Sequence, residues 1–143
     1  MATELSNHYK FMLMTKKIDF VADTFKLALM ATGFTYNKDT HAAWADVSAS
    51  ELAAGNGYTA GGATMTLTGG AVTEDDTNDR GQAAFDDVTW TASGGNIGPT
   101  PGAIMFDDTT TDDTIVGYID FGSDKTAPDG QPLTVQNIFV RTT

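Results

Sequence analysis

Acidic side chains clustered in short polar turns are the residues of this sequence most able to do chemistry. Carboxylate oxygens are the ligands that Ca²⁺ prefers. Asp is equally typical of tight turns, where its side chain accepts hydrogen bonds from nearby backbone N–H groups. Neither acidic group matches the twelve-residue EF-hand loop, so solvated turns are favoured over calcium sites. The two groups are Asp75, Asp76 and Asp79, and Asp107, Asp108, Asp112 and Asp113.

Other reactive constellations are weak in this sequence. Paired carboxylates hydrolyse glycosides only in a cleft that raises one pKa, whereas these acids lie in wet Thr- and Gly-rich turns. His8 and His41 are far apart in sequence and are expected at the surface. The chain has no Cys, no G-x-S-x-G elbow and no phosphate-binding loop with its Lys. We therefore expect no enzymatic activity, no catalytic residue, no resident metal and no cofactor.

Four aromatic residues offer a different chemistry, which is the stacking of sugar rings. Trp44, Tyr58, Trp90 and Tyr118 could form an exposed carbohydrate platform. In a small β protein such residues more often fill the core, because each buries a large apolar area. The core interpretation is favoured, and a carbohydrate-binding module for host surfaces remains an alternative function.

The charge of the chain is strongly acidic and unevenly distributed. The formal net charge is −11, which argues against nucleic acid as a partner, because phosphate backbones require a basic surface. Residues 1–40 carry five Lys against four acidic residues, whereas the remainder carries three basic residues against fifteen acidic ones. The N-terminal region could therefore face an acidic partner, although the Lys residues could also simply flank an ordinary strand.

No apolar run approaches the roughly 18 residues that cross a bilayer. The run from Phe11 to Met14 is short and is followed by Lys16 and Lys17, which is the wrong order for a signal peptide. We expect a soluble protein with no membrane partner and no targeting segment.

The elements that must position these residues are short strands. Apolar and β-branched runs alternate with clusters of Gly, Pro, Asp and Thr, a pattern that predicts seven or eight strands in an all-β, jelly-roll-like β-sandwich. The spacing slips at Asp86 and Asp87, which predicts a β-bulge there. Ser48 and Glu51 have the spacing of a capping box, so one short helix is predicted near residues 48–54.

The domain organisation is predicted to be simple. Residues 18–143 form a single β-sandwich domain, and residues 1–17 form an N-terminal arm or docking segment, either loose or an edge strand. This segment combines apolar and basic side chains and supplies the predicted interface. The predicted interface residues are Tyr9, Lys10, Phe11, Met12, Met14, Lys16 and Lys17.

A set of motifs spread over most of the chain resembles a known family. Each motif alone is typical of a turn, but as a set the motifs resemble those of small structural proteins of tailed bacteriophages and prophages. The motifs are DVSASEL at 46–52, GNGYT at 55–59, EDDTNDR at 74–80, DVTWTASGG at 87–95, IGP at 97–99 and DTIVGYIDFG at 113–122.

The resemblance implies a role in the virion and carries over no catalytic or metal-binding residue. It implies a capsid decoration (cement) protein made in the host cytoplasm and placed on the capsid surface. The implied partners are the major capsid protein and further copies of the chain, with a homotrimer at threefold positions. A tail, collar or head-fibre component of the virion is the alternative.

Overall fold

A computed structural model describes residues 3–142; Met1, Ala2 and Thr143, which belong to the predicted arm and domain, lie outside the described residues. Residues 3–142 form ten strands and one α-helix, together with single 3₁₀ turns at Trp44–Asp46, Ser48–Ser50 and Thr68–Gly70. The elements are β1 Glu4–Leu5, α1 Asn7–Met14, β2 Phe25–Leu29, β3 Ala63–Thr64, β4 Thr73–Asp75, β5 Arg80–Phe85, β6 Val88–Thr91, β7 Ile97–Asp107, β8 Ile115–Ala127, β9 Pro132–Val135 and β10 Ile138–Thr142.

The strands form a sandwich-like, all-β arrangement, as the sequence predicts. A five-stranded antiparallel sheet has the order β1-β8-β7-β2-β3. The remaining strands pair as β10-β5-β4 and as β6-β9, also antiparallel. The long strands β7 and β8 form the centre of the large sheet, and most of the other elements are arranged around them.

The two smaller ladders form one ribbon that is interrupted on both strands. Phe85 lies opposite Ile138, and Val88 lies opposite Val135, so the register is the same on both sides of the break. The predicted β-bulge at Asp86 and Asp87 is therefore wrong, because a bulge would add a residue to one strand only. At the break the Asp86 N–H turns away and donates to the Thr66 carbonyl. The inward-facing positions shift by one residue on both strands together.

The middle of the large sheet is buried on both faces, which explains the runs of consecutive apolar residues in β2, β7 and the first part of β8. The alternation along β2 shows this directly, since Leu27 and Leu29 belong to one core cluster and Ala28 and Met30 to the other. The ribbon covers the first face. The segment between β2 and β3 covers the second face with Val47 and the half-buried Phe34, Tyr36 and Trp44.

The four aromatic residues considered for a carbohydrate platform contribute to these clusters. Tyr58, Trp90 and Tyr118 are buried, and Trp44 is half-buried with its ring stacked 4.6 Å from that of Phe106, centroid to centroid. The core interpretation is confirmed for the three buried rings. Stacking of this kind adds to the area that each ring removes from water.

The prediction of a short helix near residues 48–54 is wrong beyond the first turn. Ser48–Ser50 form a single 3₁₀ turn, and Glu51 is already extended, with φ −65° and ψ 147°. The Glu51 carboxylate does not cap a helix. Its Oε1 accepts hydrogen bonds from the Tyr58 hydroxyl at 2.8 Å and from the Gly61 N–H at 2.6 Å. These tertiary bonds replace the local capping box.

The N-terminal segment contains the helix that the sequence analysis missed. Residues Glu4–Leu5 form an edge strand on β8, which agrees with one of the two expected forms of the segment. The helix α1 follows at once, in place of a loose arm. Its apolar residues Tyr9, Met12 and Leu13 have the i, i+3, i+4 spacing of a buried helical face.

The close packing of Gly62 against strand β2 can be tested by substitution. It has φ 77°, and a Cβ there would overlap the Leu27 carbonyl oxygen of β2. We expect Gly62→Ala to lower the free energy of unfolding by about 3 kcal/mol, because strain and overlap combine. The matched control is Gly33→Ala, where φ is 85° but a Cβ would meet no atom within 4 Å; it should cost about 1 kcal/mol. Urea unfolding measures both, and equal costs would contradict the packing described.

Candidate interaction surface

The helix α1 is fixed to the large sheet by one hydroxyl group. Strand β8 has an extra residue, Val116, between the pairs that Ile115 and Gly117 make with β7. On this irregular stretch the Ser6 N–H donates to the Val116 carbonyl at 2.9 Å, and the Ser6 Oγ donates to the Ile115 carbonyl at 2.6 Å. The same Oγ accepts the Tyr9 N–H at 2.9 Å, which is the N-cap of α1. The buried Ser6 side chain therefore links β8 to the first turn of α1.

Tyr9 is part of the core, which corrects its place in the predicted interface. Its side chain is fully buried and lies edge-on to Phe20, with 6.1 Å between the ring centroids. Burial raises the pKa of its hydroxyl well above the ordinary value. A residue with no exposed surface cannot contact a partner unless the fold opens, so Tyr9 supports the interface from beneath.

The other predicted interface residues are at the surface. Phe11 is 59% exposed and Met14 is 86% exposed, which makes them the largest exposed apolar side chains of the helix. Lys10, Lys16 and Lys17 are exposed, and Met12 is half-buried against the core. Large exposed apolar side chains beside charged ones are typical of interaction surfaces.

Two concave surfaces flank α1 on opposite sides. The first, here called the basic groove, has a volume of about 600 Å³ and lies between α1 and β10. It is lined by Tyr9, Lys10, Leu13, Met14, Lys38 and Arg141, together with Glu4, Leu5 and Thr142. The second, here called the threonine face, has a volume of about 550 Å³. It is lined by Phe11, Met12, Thr15 and Lys17 of the N-terminal segment and by Thr109, Thr110, Thr111 and Asp112.

The turn that forms half of the threonine face is held to α1 by a hydrogen bond between His8 and Asp112. His8 Nε2 lies 2.8 Å from Asp112 Oδ2, and Asp112 Oδ1 accepts from the Thr114 hydroxyl at 2.5 Å. Partial burial opposes ionisation of Asp112, but the hydrogen bonds from Thr114 and His8 outweigh it and lower the pKa. The His8 ring also stacks on Phe11. Thus His8 orients both the turn and the exposed Phe11.

A buried carboxyl group lies beneath the same turn. Asp107 is fully buried at the end of β7, and its Oδ1 accepts the Thr109 N–H at 2.9 Å. Burial raises the pKa of Asp107 to about 7, and the neighbouring Asp23 carboxyl group also raises it. Asp107 therefore retains a proton in the folded protein at pH values where an ordinary Asp is ionised.

The remaining acidic turns are stabilised by contacts within the turn. Asp75 accepts from Asn78 and forms an ion pair with Arg80 at 2.8 Å. Among residues 3–142, no three side chains of His, Asp or Glu converge in a way that could hold a metal ion. The same residues include no helix long and apolar enough to span a membrane.

Several lining residues of these surfaces were missed by the sequence analysis, among them Lys38, Arg141 and Leu13. Lys38 and Arg141 are distant in sequence from α1 and meet it only through the fold. Leu13 was overlooked because the segment was interpreted as extended. Its helical spacing from Tyr9 was the signal that could have identified it.

Comparison of the chain with protein-family models, with curated proteins and with solved structures finds no match. Arguments about function therefore depend on the residues and surfaces of the chain itself.

The buried carboxyl group predicts a pH dependence of stability. Because the pKa of Asp107 is raised to about 7 from the ordinary 3.8, its protonated form stabilises the fold below pH 4, and this contribution is lost as the pH rises through 7. Asp107→Asn mimics the protonated form. We expect the variant to exceed the wild type in free energy of unfolding by about 2 kcal/mol at pH 8.

Urea unfolding between pH 4 and pH 8 measures this difference. The control is Asp108→Asn, because Asp108 is exposed and pairs with Lys26 at 3.2 Å; its stability curve should run parallel to that of the wild type. Asp112 has a lowered pKa, so its stabilising contribution is constant between pH 4 and pH 8 and is lost only in more acidic solution. Parallel curves for Asp107→Asn and the wild type would contradict the assignment.

Proposed function

We propose that this chain is a structural protein of a bacteriophage virion, and specifically a capsid decoration protein. In this proposal it lies on the outer capsid surface, binds the major capsid protein, and stabilises the shell by adding contact area. It acts there as a homo-oligomer, with a trimer at threefold positions as the first candidate. It is made in the host cytoplasm before assembly.

The observation that carries this proposal is the exposed side of α1. Phe11, Met12 and Lys17 present apolar and cationic groups at the threonine face, on a molecule whose net charge is −11. The helix is held rigidly by the Ser6 hydrogen bonds and by the burial of Tyr9. A preorganised surface loses little conformational entropy on binding, which favours affinity.

Two further points support the same role. The motif set between residues 46 and 122 resembles structural proteins of tailed phages. The body of the protein is a sandwich in which the middle of the large sheet is buried on both faces and the acidic turns face water. Such a body suits a protein that acts by presenting its surface, and its charge limits non-specific association.

Binding to purified particles that lack the chain tests the proposal. We expect Phe11→Ser with Lys17→Glu to weaken co-sedimentation with the shell at least about tenfold, because an exposed aromatic anchor and a favourable charge are both lost. Substitutions are preferable to deletion of residues 1–17, since deletion would remove Ser6 and Tyr9 and damage the core.

The matched control is Val72→Ser, which replaces an exposed apolar residue (46% exposed) outside the lining of the threonine face. It should bind like the wild type. Unchanged binding of the Phe11 and Lys17 variant would overturn the role of this face. The copy number in purified particles separates the two virion roles, because a decoration protein is present in far more copies than a tail, collar or head-fibre component.

A further inference from the structure

The basic groove collects three cationic side chains that pair with no carboxylate among residues 3–142. Lys10, Lys38 and Arg141 line it, with Glu4 as the one acidic residue of the lining. The carboxylates that lie within 4 Å of a basic side chain among residues 3–142 contact His8, Lys26 and Arg80, and none contacts Lys10, Lys38 or Arg141. In a chain with 19 acidic and 8 basic residues, unpaired cations in one concave surface indicate that an acidic group binds there from outside.

Arg141 is already oriented for such a contact. Its Nε donates to Gln82 Oε1 at 2.5 Å, and its guanidinium lies 3.4 Å above the centre of the Phe139 ring. These two contacts hold the side chain in place and leave its terminal N–H groups to bind a carboxylate. Arg is well suited to this because its planar fork matches the carboxylate geometry. Leu13 and the exposed Met14 add apolar area to the same groove.

The chain itself carries a matching acidic surface. The turn between β4 and β5 spans residues 75–80 and is preceded by Glu74. Glu74, Asp76 and Asp79 are exposed and belong to none of the ion pairs. Asp75 instead holds the turn together through Asn78 and Arg80. We call residues 74–79 the acidic loop.

The register places the acidic loop and the basic groove at the same end of the ribbon. Thr142 pairs with Gly81, and Asp75 pairs with Arg80, so the loop adjoins the end of β10 from which Arg141 and Thr142 line the groove. No residue of the loop lines the groove of its own molecule. A rotation axis near this end brings the loop of one copy to the groove of the next.

We propose that the basic groove binds the acidic loop of a second copy of this chain, and that the contact closes a ring of a few copies. Copies with a net charge of −11 repel one another, and a contact between oppositely charged surfaces offsets that repulsion. The inference does not depend on binding to a shell. Loss of shell binding with intact self-association would count against the proposed function alone.

Sedimentation velocity of the purified full chain tests the inference. We expect an oligomer at low salt that dissociates to monomers near about 1 M salt, where the Debye length is about 3 Å. The groove variant Lys38→Glu with Arg141→Glu should raise the dissociation constant at least about tenfold. The loop variant Asp76→Lys with Asp79→Lys should do the same. The control Lys125→Glu changes an exposed cation outside the groove lining and should leave association unchanged.

A charge exchange separates recognition from damage to the fold. A chain that carries both the groove and the loop substitutions has its charges reversed on both sides of the contact, so it should self-associate again. Far-UV circular dichroism and thermal melts of each variant confirm folding. A wild-type chain that stays monomeric at low salt overturns the proposal. An oligomer that neither variant weakens, or a charge exchange that fails to restore association in a folded chain, also overturns it.

Discussion

The hydrogen bonds of the Ser6 hydroxyl are the contact on which both proposed surfaces depend. This one group joins the irregular stretch of β8 to the first turn of α1, and it is satisfied as a donor and as an acceptor. Tyr9 then enters the core directly beneath it. As a result, Phe11 lines the threonine face and Lys10 lines the basic groove. Ser6, together with the burial of Tyr9, thus anchors the helix before binding, and a preanchored helix avoids part of the entropic cost of ordering on binding.

The burial of the middle of the large sheet on both faces determines the rest of the architecture. Strands such as β2 are apolar at consecutive positions, so each face requires its own cover. The ribbon covers one face and contributes Trp90 to it. The segment between β2 and β3 covers the other face and contributes Trp44. Few aromatic side chains therefore remain exposed, and the surface is left to acidic turns and to α1.

The sequence predicts the strands well because their signal is local. Apolar alternation and turn residues determine the sandwich-like class and the burial of Trp90 and Tyr58. The helix near residues 48–54 was mispredicted because the carboxylate of Glu51 bonds to Tyr58 and Gly61, which are brought near only by the fold. The basic groove could not be predicted from local pattern, since Lys38 and Arg141 meet α1 through tertiary contacts. Phe11 and Lys17 could be proposed as interface residues because charge and apolarity coincide within a short segment, and their role there stays a prediction.

The central claim is that α1 is a rigid part of the body before any partner binds. Hydrogen exchange of the free protein tests this claim most directly, because amide protection reports the free energy of local opening. The account predicts that the Tyr9 amide and its neighbours in α1 exchange nearly as slowly as the amides of β8. Exchange of these amides at the rate of an unfolded chain, with β8 still protected, would contradict the account.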